Sequence, residues 1–235
     1  MAERFDGARV AAPVGCSVSA HMAGATIDEV TLADDAGRWA GFGFDVDGGV
    51  CQLGSVRLRL AGTDAGRGIL SWSLRGTSGT DLDGLPTAAS DAPELAPAGA
   101  HPNGIESIDH IVAVSPAFER SVAALQEAGL DLRRVREEPT PAGAPRQAFF
   151  RLGAEILELI AEPDEVAARR GGPDRPVQFW GLALVAPDIE RAAAAFAPHA
   201  GDVRPAVQPG RSIATVKRSA GLAVPLALMT PPPDR

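Results

Sequence analysis

Residues 108–114 read Ile-Asp-His-Ile-Val-Ala-Val, a short apolar run rich in β-branched side chains that predicts a strand. Ser115 is a capping residue and Pro116 suits a first helical position. Beyond them Phe118, Val122 and Leu125 recur at helical spacing and form one apolar stripe, which ends before Gly129. The period changes from strand to amphipathic helix within a few residues.

The same arrangement returns 71 residues later. Residues 179–185, Phe-Trp-Gly-Leu-Ala-Leu-Val, lead into a stripe of Ile189, Ala193 and Phe196. Pro116, Glu119, Arg120, Ala123 and Ala124 fall without a gap on Pro187, Glu190, Arg191, Ala194 and Ala195. Strand-like segments follow each helix, at 132–136, 146–152 and 155–160 in the first copy and at 202–207, 211–216 and 224–229 in the second. Each copy is one strand, one helix and three strands.

A third, worn copy precedes these. Residues 25–32 resemble 106–113, and 50–60 line up with 149–159, but about a helix's length is missing between them. The segment 34–38 is too short and polar to replace it, and residues 68–74 read as one more strand. From 77 to 104 the chain is rich in Gly, Pro, Ala, Ser and Asp with no period, the signature of a linker. The expected organisation is a degenerate module of the same type over 1–76, a Pro/Gly/Ala-rich linker over 77–104, and paired modules over 105–235, at 105–165 and 176–232. The fold class is α+β.

Composition narrows the partners. The chain of 235 residues is 45% hydrophobic and 22% charged, which excludes collagen, coiled coil and wholesale disorder. A formal charge of −8 argues against nucleic acid as a partner. Cys16 and Cys51 are isolated, so a reduced, cytoplasmic setting is the default. No apolar run approaches the roughly 20 residues of a spanning helix, and the first residues do not read as a signal peptide, so no membrane is expected. No Walker loop, Gly-rich dinucleotide fingerprint, nucleophile elbow or HExxH occurs.

The tandem modules, with Ile-Asp-His-Ile-Val in the first strand and Phe-Arg-Leu-Gly-Ala-Glu-Ile-Leu-Glu-Leu over 150–159, resemble the vicinal oxygen chelate superfamily. Its members include glyoxalase I, extradiol dioxygenases, methylmalonyl-CoA epimerase, and fosfomycin- and bleomycin-resistance proteins. The resemblance covers about 105–232 well and 25–75 weakly. It implies two modules pairing around a cleft, with one divalent metal ion held by a ligand from the first and the last strand of each. His110 and Glu158 are the implied ligands, and Glu158 the implied catalytic group. Imidazole and carboxylate suit such an ion and leave positions for a substrate's oxygens, whose charge it stabilises as a Lewis acid. The second module departs from the pattern, with Gly181 in the place of His110 and Leu226 or Ala227 in that of Glu158.

Other readings of these residues remain open. His110 is equally a buried, hydrogen-bonded histidine, and Glu158 the partner of an arginine such as Arg146 or Arg151. Arg146 and Arg211 open equivalent strands and form a fork for a carboxylate or phosphate if both face the cleft; otherwise they are solvated. Gln147 edges the same cleft, and Trp180, with Phe179, gives it an aromatic wall or packs between modules. Two functions follow: metal-assisted isomerase or lyase chemistry on a small oxygenated substrate, or metal-free binding of a small molecule for resistance or sequestration. Both accommodate a monomer or a homodimer.

Overall fold

The computed structural model describes residues 24–139, 143 and 145–233; Cys16, His21 and the N-terminal segment read for a signal peptide lie outside them. The first half of the chain holds β1 (Thr26–Leu32), α1 (Ala36–Gly41), β2 (Val50–Leu53), β3 (Val56–Leu60), β4 (Ile69–Arg75) and β5 (Thr87–Ala89). The second half begins with β6 (Ser107–Ser115), α2 (Phe118–Glu127), β7 (Asp131–Arg136), β8 (Gln147–Leu152), β9 (Glu155–Ala161) and α3 (Asp164–Arg169). It ends with β10 (Gln178–Val185), α4 (Ile189–Ala195), β11 (Arg204–Pro205), β12 (Ser212–Val216) and β13 (Leu226–Met229). The architecture is α+β, with one five-stranded sheet ordered β2-β3-β1-β4-β5 and one eight-stranded sheet ordered β11-β12-β13-β10-β6-β9-β8-β7. No helix among the described residues is long and apolar enough to cross a membrane.

The eight-stranded sheet is the two expected modules joined edge to edge. In each, the first strand lies parallel to the last, β6 with β9 and β10 with β13, and the two first strands pair antiparallel at the centre. Register in this central pair steps by one residue after Asp109 and steps back after Trp180, so each strand carries one extra residue. These two β-bulges are 71 positions apart, the offset of the sequence repeat. The three pairs between them are His110 with Ala183, Ile111 with Leu182 and Val112 with Gly181.

The N-terminal half repeats this plan. β1 lies parallel to β3, β4 pairs antiparallel with β1, and β5 runs parallel to β4. Register again steps after Asp28 and returns before Ile69, enclosing the pairs of Glu29, Val30 and Thr31 with Ser73, Trp72 and Ser71. β4 and β5 therefore occupy the places of β10 and β13. The half is a worn pair of modules, and the worn first module has lost a strand rather than its helix. Its helix survives as six residues because Asp35 caps Arg38 N–H at 2.7 Å and Trp39 is fully buried.

The segment 77–104, expected as a linker without elements, supplies β5 to the first sheet before it joins the halves, and the rest of it is laid down on them. Leu82 and Leu85 are buried, Ser78 N–H donates to the Ala128 carbonyl at 3.0 Å, and Asp83 accepts from Arg120 Nε at 2.7 Å. Polar turn residues gave this stretch the composition of a tether, while two leucines and side-chain hydrogen bonds dock it.

The halves meet reciprocally. The hairpin glycines Gly54 and Gly153 both have positive φ, and a Cβ on either would meet the other half's first strand, at Ser107 (3.0 Å) and Thr26 (3.2 Å). Such an approach needs glycine. Phe42 stacks on Phe196 at 4.7 Å and Trp72 meets Phe179 at 5.1 Å, so one apolar cluster spans both sheets. Each fully buried large side chain in it, such as Phe150 or Ile111, contributes about 1.5–3 kcal/mol.

Candidate functional site

Alternation turns Ala148, Phe150, Leu152, Leu157 and Leu159 into the core and leaves Gln147, Phe149, Ile156, Glu158 and Ile160 on the opposite face of the second half's sheet. Glu158 sits beside Val112 of β6 and Phe149 of β8. The bulge at Asp109 breaks alternation in β6, so that Asp109 and its neighbour His110 meet: His110 Nδ1 is 2.7 Å from Asp109 Oδ1. His110 Nε2 is 3.3 Å from Glu158 Oε2. The two residues singled out in sequence are thus brought together, with side chains 14% and 15% exposed.

Hydrogen bonds extend this pair in both directions. Gln147 Nε2 donates to Glu158 Oε1, and Gln147 Oε1 is buried with no partner among the described residues. Arg211 reaches across from the second module, its guanidinium donating to Asp109 and its Nε donating to the Thr230 carbonyl at 2.7 Å. Burial pushes the Asp109 carboxyl up, but hydrogen bonds from His110 and Arg211 and their charges together hold it below the usual carboxylate range. Asp109 was not singled out in sequence. A signal existed, since Ile27-Asp28 and Ile108-Asp109 are the same dipeptide at the same place in the repeat.

The other nominated residues are placed differently. Arg146 is held by Glu137, with Nε donating to Oε2 at 2.6 Å, and by Glu119 through Nη1 at 2.5 Å; it also lies 4.5 Å over the Phe118 ring. It lines a separate recess with Ser115, Glu162 and Asp164. Arg146 and Arg211 therefore form no fork, because each answers to its own carboxylates. Trp180, the extra residue of β10, is 54% exposed, while Phe179 supplies the packing between halves.

A metal with three or four protein ligands does not fit this donor set. Register makes Gly181 the counterpart of His110 and Ala227 that of Glu158, which settles the gap left open by the sequence. A Cβ on Gly181 would lie 2.8 Å from the Pro225 carbonyl oxygen, so that position has no room for a ligand side chain without movement. Among the described residues no group of three or more His, Cys, Asp or Glu side chains is placed to hold an ion.

In the N-terminal half the matched positions carry Glu29 and Arg59, joined by two hydrogen bonds of 2.8 Å. Its bulged Asp28 accepts from Arg57 Nη2 at 2.6 Å, from Arg75, and from Ser90 Oγ at 2.7 Å. The same scaffold position therefore holds an arginine–glutamate fork in one half and a histidine–glutamate contact in the other.

No protein-family model and no curated protein sequence matches the chain. Among solved structures, a xylose isomerase-like TIM barrel/4-hydroxyphenylpyruvate dioxygenase fusion protein matches with TM-score 0.57 and 14% identity, over 89% of this chain and 49% of its own. Methylmalonyl-CoA epimerase from Mycobacterium tuberculosis matches with TM-score 0.46 and 15% identity, over 58% of this chain and 93% of its own. The Streptomyces coelicolor epimerase in complex with 2-nitronate-propionyl-CoA gives TM-score 0.43 and 19% identity, over 54% and 94%. The fusion protein is the informative match, because it takes in both halves of the chain at once. Two sheets with the same central bulged pairing, matched together in that structure, show the fold that the resemblance to the vicinal oxygen chelate superfamily implies.

Proposed function

We propose that the open face of the second half's sheet binds a small molecule and that Glu158 and His110 transfer a proton to and from it, in isomerase or lyase chemistry. The observation that supports this best is the line of contacts running Arg211, Asp109, His110, Glu158, Gln147. Each nitrogen of the imidazole has a carboxylate beside it. The ring can keep a proton on Nδ1 for Asp109 while Nε2 exchanges one with Glu158, without reorienting. Glu158 then removes a proton from a carbon next to a carbonyl; the C–H electrons form a C=C bond as the carbonyl π electrons move to oxygen, and the proton returns to the same carbon or, where that carbon bears a hydroxyl that gives up its own proton to the oxyanion, to the former carbonyl carbon. The unpartnered Gln147 Oε1 accepts a hydrogen bond from the ligand.

Deuterium wash-in from D2O into a panel of ketones and acyl thioesters, followed by mass spectrometry, tests this. Wild-type protein should exchange at least one panel member, and Glu158→Gln should lower that rate by about 10²–10⁴ while keeping its fold. Absence of exchange from the whole panel with wild type would sink the proton-transfer reading. The second reading is metal-free sequestration, favoured by the donorless Gly181 and Ala227 at the matched positions of the second module. In that case ligand binding survives Glu158→Gln and no exchange accompanies it.

A further inference from the structure

Three rows of side chains cross the open face of the first module. Arg134 is followed by Phe149, Glu158 and Val112; Arg136 by Gln147, Ile160 and Val114; and Arg151 by Ile156 and His110. Residues opposite one another in a ladder share a face, so three arginines line one side of the surface whose centre is His110 and Glu158. Phe149, Ile156, Ile160 and Val114 are only half-buried and form an apolar floor between.

These arginines differ from those that carboxylates hold in place. Arg57, Arg75, Arg146 and Arg211 are each held by carboxylates. Among the described residues, Arg134 has no ion-pair partner, Arg151 donates only to the Gly153 carbonyl at 3.4 Å, and Arg136 has a 3.7 Å contact with the exposed Glu138. Asp131, opposite Arg151, pairs with Arg133 instead, at 3.1 Å. β7 is an edge strand, and charge on an edge blunts unwanted pairing. That role is indifferent to the face, whereas Arg134, Arg136 and Arg151 all lie on the face of Glu158.

We propose that Arg134, Arg136 and Arg151 form the anion subsite of this cleft, for a ligand with a sulfonate-, phosphate- or carboxylate-type group at one end and an uncharged, apolar-flanked head at the other. This rests on the small-molecule reading of the cleft and adds its polarity. Two strand spacings separate Arg134 from Glu158, so the anionic group lies roughly 10 Å from the reacting end. The inner end must be uncharged, because Asp109 and Glu158 repel a second anion there.

A matched pair of fluorescent probes tests the proposal: 1-anilinonaphthalene-8-sulfonate and N-phenyl-1-naphthylamine, the same aromatic frame with and without an anion. Wild-type protein should bind the sulfonate at least about tenfold more tightly. The double variant Arg134→Gln with Arg151→Gln should erase that preference and leave the neutral probe unchanged. Phe149→Ala should weaken both probes alike. Equal binding of the two probes, or a preference that survives the double variant, would overturn the anion subsite while leaving the cleft. Binding of neither probe would overturn the cleft reading and the subsite together.

Discussion

The two halves hold one backbone plan and opposite chemistries. In the first, Glu29 and Arg59 close on each other through two hydrogen bonds, and the bulged Asp28 is saturated by Arg57, Arg75 and Ser90. In the second, the same positions hold His110 and Glu158, and the bulged Asp109 serves the imidazole as well as Arg211. A fork of arginine on glutamate satisfies itself and leaves nothing for a ligand. The histidine meets Glu158 through a single contact of 3.3 Å, with both side chains partly exposed. The difference teaches that this fold keeps its bulges irrespective of what hangs from them, and that one frame carries either charges paired with each other or a histidine set between carboxylates.

If that contrast is right, disrupting the first half should cost stability where disrupting the second costs chemistry. The largest structural effect is expected at Asp28, 4% exposed: Asp28→Ala removes the carboxylate partner of Arg75 and the nearer of the two that hold Arg57, and should destabilise by about 3–5 kcal/mol in urea unfolding. A loss under 1 kcal/mol would show that the first half's network is dispensable.

Glu155 sharpens the comparison next, since Val56 fills the corresponding place in the first half. Burial pushes the Glu155 carboxyl up to about 7 from 4.5; nearby Glu94 adds to the rise, while N–H groups of Glu155 and Ala154 and the charge of Arg75 oppose it. The folded state therefore holds this proton more tightly than the unfolded chain. Its stabilisation is complete below about pH 4.5 and is lost as pH rises through about 7. Glu155→Gln should gain about 3 kcal/mol over wild type near pH 8 and nothing near pH 4. A pH-independent difference would contradict this.

The smallest effect belongs to Arg59, whose side chain is 49% exposed: Arg59→Met should change unfolding free energy by less than about 1 kcal/mol. A larger loss would mean that the fork carries the first half, and that its resemblance to a retired site is incidental.

Much of the second half was legible in sequence because its modules kept both the strand-to-helix change of period and the 71-residue offset. His110 and Glu158 stood out for a physical reason, as polar groups in the middle of apolar strands. The fourth module did not, because only β4 and β5 of it remain, joined by the irregular segment 76–86 instead of a helix and two strands. The helix at 36–41 escaped notice since six residues make too little of a stripe. Bulges are equally invisible: one added residue leaves both strands apolar and merely changes which side chains share a face. Arg146 and Arg211 occupy equivalent places, yet equivalence in a repeat fixes position and not partners, which came from Glu137 in one case and Asp109 in the other.

The paired bulges bind the histories of the modules together. Because Asp109 shifts the ladder and Trp180 shifts it back, deleting either residue alone would leave every pair beyond it out of step. Side chains in the second module could be replaced one at a time, down to the glycine and alanine now present, but its backbone could not shorten without its neighbour. A module that has surrendered its donors is thus retained as the reading frame of the one that has not.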